Sequence, residues 1–327
     1  MPKFLVIRFS SIGDIVLTSP IVRRLKLQTG GEVHILTKQS FKGLWENNPY
    51  VDRIHTIQNK VGEVISTLES ESFDEIIDLH NNLRSLQVKK ALGIPSWSFP
   101  KLNFQKWILV NFKVDRLPDV HIVDRYMETV HHLGVIDDGD GLDFFLPVDT
   151  RDVTEDLPAN FSGNYIGFVI GGQHEGKMLS EAKIARLCRE FSRPVVLLGG
   201  PEDREKGNRI ETHLGKDKVF NAAGQYSLME SAILVREASV ILTHDTGLMH
   251  IASAFKKRVI SLWGGTVPEL GMYPYRPGEG SEILEVKHFM RPSSKLGSRK
   301  GIYRLWNFMD MIPDERIISA VQERKEI

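Results

Sequence analysis

Apolar residues in this chain fall into short runs dense in Val, Ile and Leu. Between the runs they recur every three or four positions. The first pattern predicts buried strands and the second predicts helices packed on them. In the first half, strands are expected at 3–9, 32–37, 53–57 and 75–79. After a turn at 10–14, a helix runs to about 28, with Pro20 near its true start, where the missing N–H is tolerated. Further helices are expected at 41–47, 61–69, 84–92 and 122–133. A second series follows, with strands at 165–170, 194–198, 239–243 and 258–262. Its helices fall at 180–191, 202–214, 228–237, 247–255 and about 314–325, with an irregular stretch from 288 to 308. Strand and helix in alternation imply an α/β fold whose parallel sheets are covered on both faces.

Residues 137–158 break this rhythm and are rich in Asp, Gly and Pro, so the domain boundary is expected there. A chain of 327 residues also exceeds one ordinary core. The expected organisation is an N-terminal Rossmann-like domain over 1–155 and a C-terminal one over 156–327. The closing helix is free to pack back on the first domain.

Composition removes several function classes. Lys+Arg and Asp+Glu number 42 each, so no basic excess points to nucleic acid. Cys188 is the one cysteine, which excludes an internal disulfide and a cysteine-based zinc site. The histidines are scattered, and His131 and His132 are adjacent rather than one turn apart, so no metal site is expected. No apolar run reaches 18 residues, and the first run carries Arg8. That start reads as a strand rather than a signal peptide, and a cytoplasmic protein is expected.

Candidate chemistry gathers just past the expected strands, where open α/β sheets bind ligands. After the first strand come Ser10-Ser11-Ile12-Gly13-Asp14, with a carboxylate placed at a helix start. It suits a general base acting on a hydroxyl, and equally an N-cap or first-turn acid. Gly171-Gly172-Gln173-His174-Glu175-Gly176-Lys177 has the spacing of a phosphate-binding P-loop. Met178 stands where that motif needs a hydroxyl for Mg²⁺, so a nucleoside-triphosphatase is rejected. Lys177 remains a point charge for a phosphate, or an exposed loop lysine. In Gly199-Gly200-Pro201-Glu202-Asp203, Glu202 can accept from ribose hydroxyls or serve as a helix-start acid. Asp245-Thr246-Gly247 breaks a strand into a helix, with His250 one turn further in. Free N–H groups and the positive helix end make a phosphate cradle there, and an N-cap is the simpler alternative. Gly264-Gly265 adds another glycine-lined loop.

Two basic sets complete the inventory. Arg291, Lys295, Arg299, Lys300 and Arg304 lie in the irregular stretch, and Lys101, Lys106, Lys113 and Arg116 surround Trp97, Phe104, Trp107 and Phe112. Either set suits phosphorylated lipid headgroups or acidic sugars, or forms a solvated face.

Taken in order, these segments resemble the bacterial ADP-heptose:lipopolysaccharide heptosyltransferases of glycosyltransferase family nine. The carrying motifs are Ile7–Val16, Gly171–Lys177, Gly199–Asp203, Ala223-Gly224, Asp245–His250 and Gly264–Glu269. The resemblance implies a GT-B fold, two Rossmann-like domains facing across a cleft. It implies inverting, metal-independent transfer of heptose to a hydroxyl of the lipopolysaccharide inner core. No cofactor is implied, since the ADP-sugar is a substrate. Asp14 is then the base, Lys177 faces the diphosphate, Glu202 the ribose and Asp245 the transferred sugar. Thr246 and Gly247 place N–H groups on the phosphates, supported by His250, while Gly171, Gly172, Gly264 and Gly265 line the donor loops. Ser11, Gly13 and Arg84 fall on the acceptor side. The implied partners are a nucleotide sugar and a lipid-linked or phosphorylated saccharide at the inner face of the inner membrane. The chain departs from the family pattern at His244, where Asn is commoner, and at Met178-Leu179, where a tryptophan is often found. Residues 292–295 also lack the cysteines of one subgroup. A related transferase using another nucleotide sugar stays open, as does an inactive sugar-nucleotide-binding protein, which the presence of both Asp14 and Lys177 disfavours.

Overall fold

Every expected strand forms, and each joins one of two wholly parallel sheets in the computed structural model, which describes residues 1–322. The chain divides into two units: residues 1–101 with 120–147, and residues 102–119 with 148 onward.

The first unit holds β1 (Lys3–Ile7), β2 (Glu32–Lys38), β3 (Arg53–Ile57), β4 (Glu75–Asp78) and β5 (Ser96–Ser98), ordered β3-β2-β1-β4-β5. Leu5, Ile7, Leu36, Ile57 and Ile76 from these strands bury against Val64, Leu68 and Val88 from helical segments. The helix expected up to about 28 is two pieces, Ile12–Val16 and Ser19–Thr29, the second with proline in its first turn. Residues 137–141, read from the sequence as part of a boundary, are strapped onto that second helix. Asp138 accepts from Arg23 at 2.8 and 2.9 Å and from Arg24 Nε at 3.0 Å. Both arginines are buried, so the acidic turn answers their charges rather than acting as a loose linker.

The second unit holds β6 (Ile166–Val169), β7 (Val195–Leu198), β8 (Val219–Asn221), β9 (Val240–His244), β10 (Val259–Trp263) and β11 (Glu282–Glu285). Their order is β11-β10-β9-β6-β7-β8. The closing helix, described over Asp314–Gln322, does not need the first unit to cover its apolar face. Ile317 and Val321 enter the second unit's own core beside Ile184 and Leu187. Lys183 ties the same region down by pairing with Asp314 at 2.8 Å and donating to the carbonyls of Asp310 and Ile312. The expected end of this helix near Lys325 lies outside the described residues.

Helix Asn103–Phe112 also belongs to the second unit. Lys113 Nζ donates to Pro292 O at 2.7 Å and Tyr303 Oη at 3.0 Å, and Lys295 Nζ donates to Asn103 Oδ1 at 3.0 Å. The two basic sets are therefore partly structural, while Phe104, Trp107 and Phe112 stay exposed. Among the described residues, no helix is long and apolar enough to cross a membrane.

Candidate active site

Strand order decides where each unit can bind a ligand. In the first sheet the chain moves outward from β1 through β2 to β3, then returns to the other side of β1 with β4. In the second it moves from β6 through β7 to β8, then returns beside β6 with β9. At such a reversal the two connecting loops diverge and leave a crevice beyond the carboxyl ends of the strands. The loops after β1, β6 and β9 carry Asp14, Lys177 and Asp245, while Gly199–Asp203 and Gly264-Gly265 follow the neighbouring strands β7 and β10.

In the first unit Asp14 lies in the first turn of helix Ile12–Val16. Its Oδ1 lies 2.7 Å from Arg8 Nη2. Its Oδ2 accepts from Ser11 Oγ at 2.9 Å and Ser11 N at 3.2 Å. Arg8 is buried and held in turn, since it donates to the carbonyls of Ser10 and Leu79 and to Tyr126 Oη at 3.0 Å. Burial opposes ionisation of Asp14, but the Arg8 charge and the Ser11 hydrogen bonds outweigh it and hold the carboxyl below its ordinary range. About a quarter of the Asp14 side chain is exposed, so one face remains reachable. His80, on the loop after β4, packs edge-on against Phe9, and burial followed by the Arg8 charge lowers it to about 4. Burial pushes the Tyr126 phenol up to about 12.

Ser11 therefore caps and orients Asp14, and Gly13 lies inside the short helix, buried, rather than in a tight turn. Arg84 is exposed near the start of helix Leu83–Leu92, lining a surface groove with Asn59, Lys60 and Gln87. Among the described residues no ion pair or hydrogen bond joins it to Asp14.

In the second unit the loop after β6 brings Lys177 Nζ to 2.6 Å from Asp245 Oδ2, on the loop after β9. Thr266 Oγ1 donates to the same oxygen at 3.1 Å. Thr246 caps helix Gly247–Ala254 with its backbone only, since its side chain makes no cap hydrogen bond. The first N–H groups of that helix are thus left for another acceptor. His250 is buried one turn in.

The loop carrying Lys177 is held from several sides. His244 donates from Nδ1 to Gly171 O at 3.1 Å and accepts at Nε2 from Leu179 N at 3.3 Å. Burial lowers this ring to about 4, so it stays neutral and can do both. Gly265 N donates to Gly176 O at 2.7 Å, and a Cβ on Gly265 would lie 2.7 Å from that carbonyl. The Gly264-Gly265 loop thereby supports the Lys177 loop by close packing. Arg291 fixes its far side, donating to Gly264 O at 2.6 Å, Thr266 O at 3.0 Å and Trp263 O at 3.1 Å. Gly171 must be glycine because a Cβ there would overlap the Asp203 carboxylate, whereas Gly172 borders Met178. Glu202 is exposed beside Gly200. Its neighbour Asp203 is buried, accepts from Gly200 N at 3.1 Å and pairs with Lys206 at 3.0 Å.

Sequence reading thus singled out Asp14, Lys177 and Asp245, and the structure joins the last two directly. It did not single out the supports Tyr126, His80 and Asp203. It placed Arg291 only in a basic set and His244 only as a departure. An arginine at the end of an apolar strand was the one available signal for Arg8.

The model of glycosyltransferase family 9 (heptosyltransferase) matches residues 61–280, about two thirds of the chain. This chain belongs to glycosyltransferase family 9. Lipopolysaccharide heptosyltransferase 1 of Campylobacter coli is 23% identical over 320 residues, covering 88% of this chain and 92% of that protein. A glycosyl transferase family 9 structure from Veillonella parvula DSM 2008 superposes with a TM-score of 0.77 at 22% identity, covering 98% of this chain and 96% of the other. For the E. coli ADP-heptose lps heptosyltransferase II the TM-score is 0.71 at 20% identity, covering 98% and 97%. The two Rossmann-like sheets of this family 9 glycosyltransferase are those of the GT-B fold.

Proposed function

We propose that this glycosyltransferase moves heptose from ADP-heptose to a hydroxyl of the lipopolysaccharide inner core, with inversion and without a metal. The carrying observation is the Lys177–Asp245 pair beside an uncapped helix N-terminus. A nucleoside diphosphate gains charge as the glycosidic bond breaks, and a lysine with a helix end is a preorganised partner for that charge. The Campylobacter coli and E. coli relatives, by name, supply the sugar and the acceptor class.

In the first unit Asp14 takes the proton of the acceptor hydroxyl as that oxygen attacks the anomeric carbon. The bond from that carbon to the diphosphate breaks, and ADP leaves with the electron pair. Attack opposite the leaving group inverts the configuration. Asp14 is a weak base by pKa, so its contribution comes from position. Lys177, Thr246 and Gly247 take the diphosphate, Asp245 the heptose hydroxyls and Glu202 the ribose. Gly171, Gly172, Gly264 and Gly265 shape these loops, and His250 backs the helix start. Ser11, Gly13 and Arg84 serve the acceptor side. The reading places the protein in the cytoplasm at the inner face of the inner membrane. There the exposed aromatics of Asn103–Phe112 can meet a lipid-linked saccharide.

A panel of ADP, UDP, GDP and their sugars tests it, because a ligand bound only by the folded state raises the melting temperature. ADP and ADP-heptose should give the largest shifts, and EDTA should leave the initial rate of ADP release unchanged. A larger shift with UDP- or GDP-sugars would assign a different donor, and loss of activity in EDTA would end the metal-free reading.

A further inference from the structure

On one face of the first unit's sheet, where β2 runs beside β3, two histidines come together that lie 21 positions apart in sequence. The β2–β3 register sets Leu36 opposite His55 and His34 opposite Arg53, so both rings project from the same face of the sheet. His34 Nδ1 lies 3.0 Å from His55 Nε2. Both rings are buried against Phe73, with centroids 5.1 and 6.1 Å away. Glu71 Oε2 stands 3.9 Å from His34 Nδ1, and the three donor atoms lie within 4.8 Å of one another.

We propose that His34 Nδ1, His55 Nε2 and Glu71 Oε2 form a site for one divalent cation of the zinc class, with water in the fourth position. Two imidazoles and a carboxylate are a donor set such ions favour. The spacing is close to what binding needs. Ligands about 2.05 Å from a tetrahedral ion are about 3.4 Å apart. The two rings therefore separate by about 0.4 Å, and Glu71 closes by about 0.5 Å on His34 and by at most about 1.4 Å on His55. Burial lowers His55 to about 4 and draws His34 below its ordinary value, so both rings are neutral donors at neutral pH. The remote nitrogen of His34, Nε2, lies 3.5 Å from Glu32 Oε2, the carboxylate support that metal-bound histidines commonly have. Lys3 contacts Glu71 Oε2 at 3.3 Å and must yield it to the ion, while Arg53 holds the other oxygen, Oε1, and keeps it. Lys3 already has a second partner, Glu32, at 3.1 Å. None of these three ligands is among the groups that hold Asp14, which are Arg8 and Ser11, so the ion acts on the fold of this unit and takes no part in sugar transfer.

The test uses the full chain after treatment with a chelator that is then removed. ZnCl₂ titrated by calorimetry should bind at one equivalent. His55→Gln and Glu71→Gln, checked for folding by circular dichroism, should each weaken that binding at least about tenfold. Cobalt(II) added to the unsubstituted protein should give the intense visible bands of a four-coordinate, nitrogen-ligated ion, a readout that requires no variant. The initial transfer rate should be unchanged by the added zinc. Absence of stoichiometric binding, equal binding by both folded variants, or a cobalt spectrum like that of the aqua ion would overturn the assignment.

Discussion

Lys177 and Asp245 face each other at 2.6 Å across the point where the second sheet reverses its strand order. The pair holds two loops of different strands together, and under the proposed function the diphosphate shares that lysine with Asp245. Lys177→Ala should weaken ADP binding and lower transfer by roughly 10²–10³-fold, the usual loss for one preorganised charge-stabilising donor. Calorimetry with ADP and an ADP-release assay check this, and unchanged ADP affinity would leave Lys177 as a partner of Asp245 only.

Asp245→Asn separates the sugar from the nucleotide. Removing a negative charge beside Lys177 should leave ADP affinity equal or tighter, while transfer from ADP-heptose falls at least about tenfold through lost hydroxyl contacts. A proportional loss of ADP affinity would instead make Asp245 a structural brace for the loop.

Arg8 sets the acid limb of the pH profile. The Asp14 carboxyl titrates below its ordinary range because the Arg8 charge and Ser11 outweigh burial. The proposed base is therefore ionised at neutral pH, and kcat/KM should fall only as pH drops below the ordinary carboxylate range. Arg8→Gln leaves Ser11 alone against burial, so the limb should move to higher pH. The stability from this pair is present above the unfolded pKa and lost as pH falls through the lower folded value. An acid limb that stays in place in the variant would detach Arg8 from the base.

What was legible in the sequence follows physical rules. The inner strands, β1, β2, β4, β6, β7, β9 and β10, are dense in apolar residues, mostly Val, Ile and Leu, because helices cover both sheet faces. Three of the four edge strands, β5, β8 and β11, are not legible, since they are short and β5 is exposed along its length. Asp14, Lys177 and Asp245 were visible because each follows a strong strand directly. Their supports were not: Tyr126 reaches Arg8 from 118 positions away. The His34–His55 pair depends on strand register, and the sequence reading had treated the histidines as scattered. The acidic turn at 137–141 reads only as part of the boundary stretch, within which the units divide at 147/148, because nothing local reveals Arg23 and Arg24 as its partners.

Asp138 is the centre of that turn. Burial raises its pKa, but hydrogen bonds from Arg23 and Arg24 dominate and hold it below the ordinary value. Asp138→Ala leaves Arg24 paired with Asp137, and Arg23 with Asp143 and the Gly141 carbonyl. The expected cost is about 2–3 kcal/mol, less than the roughly 3–5 kcal/mol for a fully orphaned buried ion pair. Denaturant unfolding checks the magnitude. In the unsubstituted protein this stability is present above about pH 4 and lost as pH falls through the folded value, a dependence the variant should lack.

The central claim is that Asp14 serves the acceptor hydroxyl while the nucleotide is held by the second unit. Its most direct test is Asp14→Ala, with ADP-heptose affinity by calorimetry and transfer by ADP release measured on one preparation. Transfer should fall at least about 10²-fold, as loss of a general base typically gives, with affinity within a few fold of the unsubstituted protein. Transfer within tenfold of the original rate, or affinity falling in step with it, would contradict the account.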